Sequence, residues 1–188
     1  MSNLKFTIGE VFMKMTTKKL AYYAMFAALT VICAQIAIPL PGDVPLSLAT
    51  FAVMLSGALL GTWGGAVSQL VYVLLGAVGV PVFASFSGGL GRIVGPTGGY
   101  IIGYILMALT IGLIMAKTKK KFYIYLLAMA AGTIVCYTLG TAWYVFSTRT
   151  ALLPALTACV FPFLPGDVVK IILASLVACQ LQKWIKLS

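Results

Sequence analysis

Residues 100–146 read YIIGYILMALTIGLIMA, then KTKKK, then FYIYLLAMAAGTIVCYTLGTAWYVF. Two apolar runs, each within the about 17–25 residues of a membrane-spanning helix, flank a short knot of lysines. Inside a bilayer a backbone must satisfy its own polar groups, so runs of this kind are read as helices. The rest of the chain repeats the pattern. Of its 188 residues 62% are hydrophobic and only 9% charged, and the mean hydropathy is +1.08. Such a composition cannot clothe a water-soluble surface. The expectation is an all-α integral membrane protein, one membrane domain over residues 1–188.

Upstream, residues 79–99, GVPVFASFSGGLGRIVGPTGG, are too interrupted by Gly and Pro for a regular helix and read as a long structured loop. Before it, apolar spans are expected at about 20–38, 46–60 and 65–78. The first stops at Pro39-Leu40-Pro41-Gly42-Asp43-Val44-Pro45, and the next two turn about Gly61-Thr62-Trp63-Gly64-Gly65. Downstream of 100–116 and 122–146, a last span at about 165–181 follows an apolar connection carrying Phe161 and Phe163. That makes about six transmembrane helices, with the long loop between the third and fourth. Residues 1–18, with Lys5, Glu10, Lys14 and Lys18, are expected to lie along the membrane surface as an uncleaved amphipathic segment. The apolar run after them is too long for the core of a cleaved signal.

Thirteen Lys and Arg against three Asp and Glu give a net charge of +10. Ten of the thirteen fall in the N-terminal segment, the 117–121 connection and the C-terminus, which share one side of this arrangement. The positive-inside rule makes that side cytoplasmic, with both termini there. Arg92, Arg149, Lys170, Asp43 and Asp167 fall toward the outward half. Clustered between spans, the basic residues read as topology signals and not as a nucleic-acid surface. No histidine is present, and Cys33, Cys136, Cys159 and Cys179 are widely separated, so no metal-ligand spacing or His-based catalysis is legible. The sequence contains no GxxxxGK[ST] phosphate loop, so transport energised by an ATPase within this chain is excluded.

Charges near the hydrocarbon zone persist when paired, when facing a wet cavity or when meeting a ligand. Asp167 and Lys170 stand three apart at the start of the last span and share a helix face. They either neutralise each other or contact a ligand. Asp167 also falls in the first turn, where a carboxylate suits the dipole and is expected to cap free amides. Arg92 lies among Gly88, Gly89, Gly91 and Gly95, and Gly98-Gly99-Tyr100 then opens a helix toward the loop, an arrangement suited to an anion such as a carboxylate. The aromatics Phe83, Phe86, Tyr100, Trp143, Tyr144 and Phe161 lie near the same level, as belt anchors or pocket walls. Together these residues describe a pocket for a small, partly apolar, anionic molecule carrying N–H groups for Asp167. In the first span Ala24 and Ala28 form an AxxxA stripe suited to close helix packing.

Over essentially its whole length the chain resembles the BioY family, the biotin-specific S components of energy-coupling factor (ECF) transporters. The resemblance is carried by Gly79-Val80-Pro81-Val82-Phe83, by residues 88–100 (GGLGRIVGPTGGY) and by Phe163-Leu164-Pro165-Gly166-Asp167-Val168-Val169-Lys170. It implies the six-helix S-component fold, high-affinity capture of biotin at the extracellular face, and a complex with a transmembrane coupling protein and two ATPase subunits. On that resemblance Asp167 accepts from the ureido N–H groups, Lys170 or Arg92 meets the carboxylate, and Tyr100 with Gly98 and Gly99 closes the wall beside Phe83 and Tyr144. Ala24 and Ala28 face the coupling protein. It further implies that biotin is bound as substrate with no cofactor or metal, and that the chain is a transport subunit and not an enzyme. Two rival readings are a self-contained small-anion transporter, dimeric or not, with Asp43 and Asp167 as its only proton carriers, and an intramembrane acyltransferase. The first lacks a midplane acid and the second lacks a catalytic inventory.

Overall fold

The computed structural model of the chain describes residues 16–38, 44–118 and 121–183. The expected surface segment falls almost wholly outside the described residues, as does Asp43. Helix α1 spans Thr17–Gln35. The first span was expected to run to Ile38, but Ala37–Ile38 instead forms a short strand, β1, paired antiparallel with β2, Leu46–Ser47. Ile38 precedes Pro39, and a residue before proline is steered from helical to extended conformations.

The next helical segment, α2, covers Ala49–Ala77 but breaks at Gly61, whose φ of 76° and ψ of −174° are accessible only to glycine at low cost. There the chain reverses. In a continuous helix residues 57 and 65 would lie about 12 Å apart, yet a Cβ on Gly65 would stand 2.8 Å from Gly57 Cα. Across the same hairpin Gln69 Nε2 donates to Ser56 Oγ at 3.1 Å. One glycine therefore does the work expected of residues 61–65, and helix resumes at once with Trp63 exposed on the outside.

The 79–99 segment holds a 3-10 turn at Ala84–Phe86 and a one-turn helix α3, Leu90–Val94. Three longer elements follow: α4, Gly98–Lys117; α5, Phe122–Thr148; and α7, Leu164–Leu181. Between the last two lies a short helix, α6, Leu152–Cys159, where sequence reading expects only a connection. Left-handed Arg149, φ 54°, ends α5 before it. Helix α4 is sandwiched between α2 and α5, α1 packs on α2, and α7 closes the bundle against α2 and α5.

Tyr72, Tyr125, Met54, Met107 and Ile111 are fully buried at the centre, while Ile32, Leu127, Ile134 and Phe146 point outward. An apolar exterior around an apolar core suits lipid as the solvent. The α2, α4, α5 and α7 segments are each long and apolar enough to cross a membrane.

Candidate ligand-binding cavity

Two adjoining lobes open in the bundle, and Val44, Pro45, Ser47, Tyr100 and Tyr104 line both. Tyr100 and Tyr104 lie one turn apart on α4, so one helix face forms the shared wall. The first lobe is further lined by Ala34, Tyr72, Phe83, Ser87, Arg92 and Thr97, and the second by Thr50, Thr133, Tyr137, Asp167 and Lys170.

In the second lobe Asp167 and Lys170 are 4% and 7% exposed. Their spacing on α7 brings Lys170 Nζ within 2.8 Å of Asp167 Oδ1. Lys170 also donates to the Ser47 backbone oxygen at 2.7 Å and to Thr50 Oγ1 at 3.2 Å. An ammonium has three N–H donors, and all three are used. Asp167 Oδ2 accepts from the Tyr137 hydroxyl. A carboxylate offers about four acceptor positions, so Asp167 retains room for two further donors from a ligand. The expected amide cap does not form: the first turn of α7 has no side-chain cap, because the carboxylate is turned to Lys170 and Tyr137. Pairing within the lobe and availability to a ligand, posed above as alternatives, coexist here.

The first lobe differs in charge. Arg92, on α3, lines it, and its guanidinium has no hydrogen bond or ion pair among the described residues; Asp167–Lys170 is the ion pair they contain. Phe83 is 2% exposed and meets Tyr72 edge-on, with ring centroids 5.5 Å apart. Tyr100 bonds through its hydroxyl to Thr141 Oγ1 at 3.1 Å and donates to the Cys159 carbonyl at 3.3 Å, which fixes its ring at the junction of the lobes.

Of the residues singled out from sequence, Asp167, Lys170, Arg92, Tyr100 and Phe83 line the cavity. Gly98 and Gly99 do not. A Cβ on Gly98 would lie 1.6 Å from the Ile93 oxygen, and one on Gly99 2.2 Å from Trp143 Cβ. Their missing side chains let α4 start flush against α3 and α5, and Trp143 Nε1 donates to the Gly95 oxygen at 3.0 Å across that seam. Tyr144 is buried in the same apolar core as Tyr100 but is not among the residues lining either lobe. Ala24 and Ala28 are exposed on α1, on the outer face with Ala21, Met25 and Ile32.

Sequence reading passed over Tyr137, Tyr104, Tyr72, Thr50 and Ser47. A signal existed for Tyr137: Thr133, Tyr137 and Thr141 recur every fourth residue on α5, a polar stripe that a membrane helix turns inward. Nothing local marks Ser47, whose contribution is a backbone oxygen.

A multi-pass helical membrane protein with a cavity carrying a compensated ion pair at one end and a lone guanidinium at the other has the chemistry to hold a small solute with an anionic group. The BioY family model matches residues 7–187. This chain belongs to the BioY family. It is 43% identical to the "Biotin transporter BioY" of Thermotoga maritima over 88% of this chain and 96% of that one. It is 40% identical to the "Probable biotin transporter BioY" of Pyrococcus horikoshii over 89% and 98%. A crystal structure of the S-component for biotin from an ECF-type ABC transporter superposes with a TM-score of 0.84, at 30% identity, over 90% of this chain and 95% of that one.

Proposed function

We propose that this chain is the biotin-binding membrane subunit of an ECF-type vitamin uptake transporter, and that biotin lies along both lobes with its ureido ring at Asp167 and its carboxylate at Arg92. The observation that carries this orientation is the charge asymmetry of the cavity. Lys170 is already matched by Asp167 in a buried lobe. A second carboxylate there would leave two negative charges sharing one ammonium at low dielectric. The ureido group is neutral: its N–H groups donate to the open positions of Asp167, and its carbonyl accepts from Lys170 in place of the longer bond to Thr50. The unpaired Arg92 then takes the carboxylate, with a fork of donors suited to it. Tyr72, Phe83, Tyr100 and Tyr104 flank the apolar middle of the ligand.

Six crossing segments follow if each arm of α2 spans once beside α1, α4, α5 and α7. The lysine clusters set both termini in the cytoplasm, with the lobes toward the outer face. A transmembrane coupling protein and two ATPases supply the energy, and the exposed Ala24/Ala28 face of α1 is the surface for the coupling protein. The self-contained transporter is disfavoured, because Asp167 is engaged by a cation and a phenol and is not free to carry a proton.

The test is calorimetry on the purified protein in detergent with biotin, biotin methyl ester, thiamine and riboflavin. Biotin is expected to bind tightly and the other vitamins not at all. The ester is expected to lose the charge-assisted bonds to Arg92, about 1.5–3 kcal/mol. No biotin binding by folded protein defeats the reading, and equal affinity for acid and ester defeats the orientation.

A further inference from the structure

One side chain outside the ligand contacts described so far holds a wall of the cavity. Gln35 is the last residue of α1. Its Nε2 has two N–H donors for three carbonyls, the Val82 oxygen at 3.1 Å, the Phe83 oxygen at 3.3 Å and the Val31 oxygen one turn back at 3.2 Å, so one N–H is shared between two of them. Its Oε1 accepts from the Phe86 amide at 2.9 Å. A single carboxamide thus binds four backbone groups, three of them in the 82–86 loop, 47 to 51 residues away in the chain.

That loop forms part of the first lobe: Phe83, Ala84 and Ser87 line it, and so does Ala34, the neighbour of Gln35. The loop is a tight reversal closed by Phe83 and Ser87, whose backbones exchange bonds of 2.9 and 3.3 Å. At its tip Ser85 and Phe86 both take positive φ, 59° and 53°, which non-glycine residues rarely adopt. The base of the loop is anchored to α2, where Gly89 N donates to the Gly76 oxygen at 2.7 Å. The tip has no comparable anchor from its own side chains, since the Phe86 ring is 72% exposed. What holds the tip is Gln35, so the wall is strung between α2 at its base and α1 at its tip.

We propose that Gln35 is a positioning residue for ligand binding: it pins the tip of the 82–86 wall to α1 and thereby sets how long the bound molecule stays. This rests on the biotin reading above for the identity of that molecule, whereas the pinning itself concerns the ligand-free protein. The loop's two strained residues relax once the carboxamide is removed, and the wall opens more often without altering the helices that carry Arg92, Asp167 and Lys170.

The experiment compares wild type with Gln35→Met, which keeps the length and loses all four bonds. Dissociation and association rates of radiolabelled biotin are measured in detergent, together with amide hydrogen exchange of the 82–87 peptide and the melting temperature of the ligand-free protein. The expected result is dissociation faster by about tenfold or more with association within about twofold of wild type. Exchange in the 82–87 peptide is expected to quicken, with melting little changed. Should Gln35→Met not fold, Gln35→Leu, which also lacks both the donors and the acceptor for Phe86, is read in the same way. An unchanged dissociation rate overturns the proposal, and so does a loss of affinity that merely tracks a fall in melting temperature. If wild type itself fails to bind biotin, the substrate reading falls, and the exchange comparison alone decides the pinning: no quickening in the 82–87 peptide overturns it.

Discussion

The two lobes of the cavity are built in opposite ways. The Asp167 lobe is made by side chains on α5 and α7 and by the β2 backbone, bonded to one another, and its charges cancel. The Arg92 lobe is made by a one-turn helix and a strained loop, and its charge is open. A buried ion pair contributes little net stability but cannot lose one partner cheaply. An exposed arginine on a one-turn helix, with no ion pair to lose, can be removed without harming the fold. In the Asp167 lobe site and scaffold are therefore the same residues; at Arg92 they are separable.

The most damaging change should be Lys170→Met, which leaves Asp167 buried and unpaired. About 3–5 kcal/mol is expected to be lost, seen as a lower melting temperature together with abolished biotin binding. Adding Asp167→Asn to it should recover much of the stability but none of the binding. A single variant that melts like wild type would show that the lobe is not scaffold. Arg92→Gln should do the reverse. Melting stays put, while biotin affinity falls by about 10- to 150-fold, the equivalent of about 1.5–3 kcal/mol for a charge-assisted contact. The ester's affinity is expected to be indifferent to this substitution, and a matching loss for acid and ester would move the carboxylate elsewhere.

A smaller effect is expected from Tyr137→Phe, which removes one donor from Asp167 and leaves Lys170 to orient it. Affinity should drop by roughly tenfold, the low end for a hydrogen bond to a charged group, with calorimetry showing the loss for biotin and its ester alike. Smallest of all is the effect of Ala28→Trp, far from both lobes on the exposed face of α1. Binding in detergent should match wild type while ATP-driven uptake by the assembled transporter falls. Normal uptake would remove this face from the partner contact.

Much of this protein was legible from the chain alone. Hydropathy is a local property, so the membrane class follows from composition, and run length places the long helices Gly98–Lys117, Phe122–Thr148 and Leu164–Leu181. Helical spacing is local too, and it put Asp167 and Lys170 on one face, where they meet at 2.8 Å. The resemblance in the 79–100 and 163–170 motifs pointed to the family whose model matches residues 7–187.

Tertiary structure decided what these residues do. Whether Gly98 and Gly99 wall a ligand or seat a helix depended on how close Ile93 and Trp143 approach, and no spacing rule reports that. Lys170 finds the Ser47 oxygen 123 residues away, and Gln35 finds the Phe86 amide 51 residues away. Backbone groups carry no side-chain identity, so sequence pattern cannot mark them as partners. The physical reason is one of range: periodicity and hydropathy act along a single element, whereas hydrogen bonds across a cavity exist only once separate elements have packed to within about 3 Å.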